Sequence, residues 1–262
     1  MGNYTREEVL QMAEDEDVEF IRLQFTDMFG AIKNIAVTAR ELPRALNNQC
    51  VIDGEQIAGT SGLKDADLYL RPVLDTFAIL PWRPQQDRVL RIFCDICYPD
   101  GRTFEGDSRN ILKRSVDCLK ELGYSCDIGS ECKFYLFELD EYGNPTNKPH
   151  DNGTYYDVAP VDKGENIRRE ICLTLEEMGI QPESSYHQAG PGQHEIVFKY
   201  GAPVEAADHL MTFKNLVKTI AHMNGLFASF MPKPLQRQNG NGIFVNLSLY
   251  DTDGNSVIDY NN

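Results

Sequence analysis

The sequence predicts an α+β protein of two successive units, and three observations carry that prediction. Stretches such as 18–25 and 243–249 alternate two kinds of side chain, the period-two signature of strands with two different faces. Stretches 165–178 and 206–224 repeat apolar residues at helical spacing and stop at Gly179 and Gly225. Hairpin-style links between the strands favour an antiparallel or mixed sheet with helices on one face.

The elements follow in order. Thr5-Arg-Glu-Glu8 reads as a capping box opening a helix that runs to about Glu16. Residues 18–25 read as a strand, Asp27 to Gly30 as a turn, and 31–37 as the returning strand. A short helix is expected over 39–48. Residues 50–70, with Asp53-Gly54-Glu55-Gln56 and Gly59-Thr-Ser-Gly62, read as an irregular surface loop. Strands resume over 76–80 and 88–96 around Pro81-Trp-Arg-Pro84, and Pro99-Asp-Gly101 marks a boundary turn. The expected division is residues 1–103 and 104–262.

In the second unit Asp107 and Ser108 cap a helix with Ile111, Leu112, Ser115, Val116, Leu119 and Leu122 on one face, ended by Gly123. A strand over 131–139 follows, then a long loop over 145–162 rich in tyrosine, asparagine and proline, a type that is often functional. The helix at 165–178 turns Ile167, Ile171 and Leu175 inward. A strand at 193–200 and the helix at 206–224 follow, and residues 226–231 lead to the last segment. There Lys233-Pro-Leu-Gln-Arg-Gln-Asn239-Gly240-Asn241-Gly242 is a glycine-rich turn feeding a strand. Ile243, Val245, Leu247 and Leu249 are assigned to a core, with Phe244, Asn246 and Ser248 on the opposite face.

Composition bounds the function. The chain has 262 residues, 42% hydrophobic and 25% charged, a soluble globular balance. A formal charge of −15 disfavours nucleic acid and anionic membrane, which both need a basic footprint. The start of the sequence enters a polar helix pattern without a signal-peptide profile, and no apolar run is long enough to span a bilayer. Seven cysteines without framework spacing predict reduced thiols in a cytoplasmic protein, and the lone Cys94-x-x-Cys97 reads as structural.

Candidate chemistry lies on the polar strand faces. Glu131 and Lys133 share a face, as do Gln193 and Glu195 after the turn that begins at His187. Joined with Asn246 and Ser248, these faces would line a carboxylate-bearing pocket for ATP or a cation. His150, His209 and His222 lack partners at metal-ligand spacing and read as surface or packing residues. No phosphate-binding P-loop, nucleophile elbow or dinucleotide fingerprint is present.

Lys233-Pro-Leu followed by Asn239-Gly-Asn-Gly and then Asn246-x-Ser248 resembles the ATP-binding signature of type I glutamine synthetase. Ile21-Arg-Leu-Gln-Phe-Thr-Asp27, Asp53-Gly54, Phe104-Glu-Gly-Asp107, Gly164-Glu-Asn-x-Arg-Arg169, Pro191-Gly-Gln-His-Glu195 and Phe230-Met-Pro-Lys-Pro234 resemble that family in the same order. The resemblance implies a β-grasp-like first domain followed by the first part of a glutamine synthetase catalytic domain. It also implies ring oligomers, with ATP, glutamate and ammonia as substrates and Mg2+ or Mn2+ as cofactor.

Carried over by position, the resemblance implies Glu131 and Glu195 as retained metal ligands and Gln188 as a weakened one. Lys133 and Phe244 stand where a glutamate and a histidine ligand are expected. Asp53 corresponds to the aspartate that helps deprotonate ammonium, though Glu55 and Gln56 replace two serines after it. Glu183, Asn246 and Ser248 correspond to nucleotide contacts, and Asn239 and Gly240 to the glutamate-side loop. Family members continue well past the position of Asn262, with phosphate-binding arginines, a further metal-ligand glutamate and a flap.

These substitutions predict that the glutamate-side cation is not bound. Lys133 is expected to pair with Glu131 and Glu195 in its place, with Phe244 filling the remaining space. The chain is then expected to be inactive by itself. It could bind nucleotide as a degenerate paralogue, either as a homo-oligomer or in association with a full-length synthetase. An active glutamate–ammonia ligase and a remnant without a separate role are the other readings.

Overall fold

The computed structural model describes residues 4–57, 67–83 and 85–258. The chain divides into two compact units, one through Leu119 and one from Lys120.

The first unit opens with α1 (Arg6–Asp15), started by the expected capping box: the Thr5 hydroxyl accepts from the Glu8 amide, and Glu8 accepts from the Thr5 amide. Strands β1 (Val18–Thr26) and β2 (Ile32–Thr38) form the hairpin, whose turn is tied by Asp27 Oδ1 to the Phe29 and Ala31 amides. The short helix is α2 (Leu42–Leu46).

The surface-loop reading of 50–70 is corrected. β3 (Cys50–Asp53) and β4 (Asp67–Pro72) pair antiparallel, burying Cys50, Ile52, Leu68 and Leu70. Each strand is too short to show its alternation beside so many glycines and acids, and only pairing makes it a strand. Gly59-Thr-Ser-Gly62 and Pro84 lie outside the described residues. β5 (Ala78–Ile79) is a two-residue strand against β6 (Arg88–Cys97). The sheet runs β2-β1-β6-β4-β3, with β1 and β6 parallel and the other pairs antiparallel. Its core gathers Val9, Ile21, Leu23, Leu42, Leu90 and Ile92 under the helices.

α3 (Ser108–Glu121) begins in the first unit, with Asp107 accepting from the Arg109 amide. Its apolar face is not buried: Ile111 and Leu122 remain exposed.

The second unit is an antiparallel sheet around one long strand, β7 (Ser125–Leu139). β10 (Gln193–Phe198) pairs with its middle and β9 (Pro182–His187) pairs with β10. β11 (Leu226–Ser229) and β12 (Ile243–Tyr250) pair with its two halves, and β8 (Pro145–Pro149) with its end. Two of these strands are corrections. β8 occupies the start of the predicted loop, and β9 was not foreseen because Pro-Glu-Ser-Ser is too polar to read as a strand. It survives at the sheet edge, where its polar residues stay exposed.

α4 (Glu165–Glu177) packs on β9, and α5 (Pro203–Met223) on β7 and β11. Phe213 meets Phe134, Phe198 and Phe230 edge to face at the centre of this core. Even-numbered residues of β7 and β10 face the helices, and odd-numbered ones face away. On β12, Ile243, Val245 and Leu247 share the helix-side face by register, yet all three are exposed. Their assignment to a core is therefore corrected. The alternation is real, but the packed helices lie over β7, β9 and β11.

Candidate functional site

The face of the second sheet that turns away from the helices collects the predicted residues. Register sets Glu195 opposite Lys133 and Gln193 opposite Tyr135 across β10 and β7. On the other edge of β7, Phe244 lies opposite Glu131, Asn246 opposite Gly129 and Ser248 opposite Asp127. Side chains remote in sequence thus share one surface because strand pairing fixes their alternation.

Glu195 is buried. Its Oε2 accepts from Gln188 Nε2 at 2.6 Å. Its Oε1 is buried without a hydrogen-bond donor and faces the Lys133 ammonium at 3.8 Å. Lys133 Nζ also lies 4.7 Å from the centroid of the Phe244 ring, a cation–π contact. The expected Lys133 pairing is thus found with Glu195. Glu131 Oε1 instead accepts from Asn246 Nδ2 at 2.9 Å. Phe244 remains half exposed on β12.

Four tyrosines lie around these residues. Burial, and then the Glu195 carboxylate directly opposite on β10, push the Tyr186 phenol well above its ordinary range. Tyr186 meets the rings of Tyr155 and Tyr156, which contact each other at 3.9 Å between centroids. Tyr200 covers Gly129 so closely that a Cβ there would lie 2.7 Å from its ring, so a larger residue at 129 would displace that ring. Tyr200 also lines a cavity of about 240 Å³ with Ser130, Phe198, Lys199 and Glu205. The loop holding Tyr155 and Tyr156 was legible in the sequence as tyrosine-rich, whereas Tyr186 was missed because β9 was not foreseen.

The remaining expected residues lie apart from this cluster or at its rim. Asn239 and Gly240 are exposed in the glycine turn, bound to Tyr135 and Gln193 through their carbonyls. Glu183 is exposed on β9, next to a bulge. Asp53 belongs to the first unit, where its carboxylate accepts from the Glu55 amide and caps the Gly54–Gln56 turn.

A second polar cluster lies on the helix side of the same sheet. Asp151, His187 and His194 are all buried, with ligand-type atoms within 4.8 Å of one another. His187 sits between the Gln188 carbonyl at 2.6 Å and Asp151 Oδ1 at 2.9 Å. Both ring nitrogens therefore face acceptors, which favours the imidazolium. Burial opposes that charge, but Asp151 outweighs it and raises the His187 pKa. Burial likewise opposes the Asp151 carboxylate, while His187 and the Gly153 and Gly192 amides hold its pKa well below the usual range. Arg168 forks onto Asp162 and contacts His194 Nδ1 at 2.8 Å. Burial, then that guanidinium, keep His194 neutral. A guanidinium at this distance and a saturated Asp151 do not fit a metal centre, so the cluster is a structural network. The histidines carried no signal of this in the sequence, because His187 comes opposite His194 only through the unforeseen strand β9.

A mixed sheet followed by an antiparallel sheet with carboxylates and amides gathered on one face defines an α+β protein of two compact units. Residues 17–99 match the family model described as glutamine synthetase, beta-Grasp domain, and residues 105–262 match glutamine synthetase, catalytic domain. The chain belongs to the glutamine synthetase family. It is 50% identical over 261 residues to a glutamine synthetase of Clostridium saccharobutylicum, covering all of this chain and 59% of that protein. It is 46% identical over 259 residues to one of Staphylococcus aureus, covering 98% of this chain and 58% of the relative. Among solved structures, a GmaS/ADP complex superposes with TM-score 0.87 at 26% identity over 97% of this chain and 58% of the other. A Plasmodium falciparum glutamine synthetase shares the fold with TM-score 0.88 at 24% identity, over all of this chain and 57% of that one.

The family implies ATP and a divalent cation. The donors around Glu195 do not fit such a cation. An ammonium faces the one unbonded carboxylate oxygen, the other oxygen is taken by an amide N–H, and an aromatic ring stands beside them. No step is derived through a metal at this position. No helix among the described residues is long and apolar enough to cross a membrane.

Proposed function

We propose that this chain is a nucleotide-binding member of the family that does not by itself join ammonia to glutamate. The family reaction makes γ-glutamyl phosphate from ATP and glutamate, then displaces phosphate with ammonia. It needs positive charge fixed against the transferring phosphoryl group. The observation that carries the reading is the Lys133 ammonium 3.8 Å from Glu195 Oε1. An internal cation there compensates a carboxylate that the family's chemistry spends on a divalent ion.

Nucleotide binding is supported by Asn246 and Ser248 on one strand face beside Glu131, with Glu183 as a further candidate contact. It is supported also by the likeness to a protein solved as an ADP complex. Asp53, Asn239 and Gly240 remain candidate substrate contacts, and the domain division is placed at residues 1–103 and 104–262. Calorimetry with ATP and Mg2+ or Mn2+ is expected to detect weak binding to the purified chain. Phosphate release should not rise when glutamate and ammonium are added. Sustained glutamate-dependent release would overturn the reading.

A second reading, association with a full-length synthetase in the cytoplasm, is favoured by the bare apolar face of β12 with Ile243, Val245 and Leu247. Native mass measurement of the chain mixed with such a synthetase tests it. Homomeric species only would remove it.

A further inference from the structure

Gln193 uses both ends of a buried side-chain amide to join two turns. Its Oε1 accepts from the Gly190 amide at 3.1 Å, inside the turn that carries Gln188. Its Nε2 donates to Gly240 O at 3.1 Å and to Asn241 Oδ1 at 2.9 Å, inside the glycine turn. Tyr135, directly opposite Gln193 on β7, donates its hydroxyl to Asn239 O at 2.6 Å. Asn241 then anchors the far side of the turn by donating to Ser229 O at 3.1 Å and Met231 O at 3.0 Å.

The chemistry at the Gln188 side is equally tight. The Gln188 amide N–H donates to Gln193 O at 2.7 Å, and its side chain holds Glu195. A displacement of Gln188 or Glu195 therefore reaches Gln193 through the backbone, and Gln193 passes it to the glycine turn through one side chain. Exposed glycine-rich turns ordinarily fluctuate, because glycine has the largest conformational freedom to lose. Here two hydroxyl- and amide-type donors from adjacent strands hold three consecutive residues of the turn.

We propose that Gln193, seconded by Tyr135, is a positioning residue that presets the Asn239–Gly242 turn and couples it to the Gln188–Glu195 side of the site. The inference rests on the reading that this turn faces a small-molecule substrate. Gln193 touches no reacting atom; it acts through the turn it holds.

The test is hydrogen exchange measured by mass spectrometry on the full chain. Gln193→Glu keeps an acceptor for the Gly190 amide but sets a carboxylate against two acceptor oxygens, so only the glycine-turn half of the link is lost. Tyr135→Phe removes the second tie and keeps the apolar ring. In each variant, exchange across 238–242 is expected to rise about tenfold, the effect of losing one or two hydrogen bonds, while 188–192 stays unchanged. A purely structural role would raise exchange by a common factor across the second unit, and that outcome overturns the proposal. So does unchanged exchange at 238–242 in both variants. Loss of ATP binding in calorimetry would sink the functional reading and leave this coupling intact, so the two can fail separately.

Discussion

The two faces of the second sheet both bury charge, and they treat it in opposite ways. On the helix side, the carboxylates of Asp151 and Asp162 are paired at hydrogen-bond distance with His187 and Arg168, and the buried atoms left without a partner are nitrogens, Arg168 Nε and His194 Nε2. On the open side, Glu195 keeps one oxygen without a donor, and its cationic neighbour stands at 3.8 Å, outside hydrogen-bond range. Buried carboxylates held by direct hydrogen bonds fix structure, whereas an undersatisfied carboxylate beside a solvent-reaching lysine is the arrangement of a surface that meets ligands.

The largest expected effect breaks the helix side, where the carboxylates are directly paired. Arg168→Met leaves Asp162 buried without its guanidinium and should cost about 3–5 kcal/mol in urea unfolding. A cost near zero would mean that the network is not structural. Gly164→Ala comes next, because a Cβ would lie 2.4 Å from the His194 ring. Overpacking of this kind costs about 1–3 kcal/mol, read as a fall in the thermal midpoint.

The open side should respond in binding more than in stability. Lys133→Met is expected to cost about 1 kcal/mol or less, since the lysine is partly exposed and its pairing is long. Lys133→Glu combined with Gln188→Glu should create a Mn2+ site detectable by calorimetry or paramagnetic resonance, absent from the parent chain at the same metal concentration. Equal Mn2+ binding by both would remove the contrast between the faces.

The smallest effect uses the first unit as a reference for a saturated carboxylate. Asp95 is buried against Lys113 and Arg109 at 2.7 Å each. Burial opposes its charge, but Lys113 and then Arg109 outweigh it and lower its pKa. A lowered folded pKa means that the stabilisation is present above the unfolded value of about 3.9 and is lost as pH falls through the folded value. Asp95→Asn should therefore flatten the acid side of a stability–pH profile; an unchanged slope below about pH 4 would contradict the assignment.

Much of the site was legible because strand parity is a local property. Glu131 with Lys133, and Gln193 with Glu195, share faces from their spacing alone, and Asn246 and Ser248 follow from theirs. The glycine turn and the order of the family-like segments identified the family. Illegible features depend on partners remote in sequence. Ser184 and Ser185 enter a strand only because β10 offers its edge. Tyr186 reaches Glu195 only because β9 pairs beside it. Ile243, Val245 and Leu247 look like core residues, yet nothing in a strand's own sequence says whether a helix lies over it.

By itself, then, the sequence determined the α+β class and the alternating faces, with a lysine at 133 and an aromatic ring at 244 among the polar residues of those faces. Those are consequences of backbone period and side-chain chemistry, which neighbouring residues encode. The tertiary structure decided which carboxylate Lys133 answers, because register across two strands set it against Glu195 and left Glu131 to Asn246. It also decided that His187 and His194 belong to a closed network, because only packing brings Asp151 and Arg168 to them from separate loops and helices.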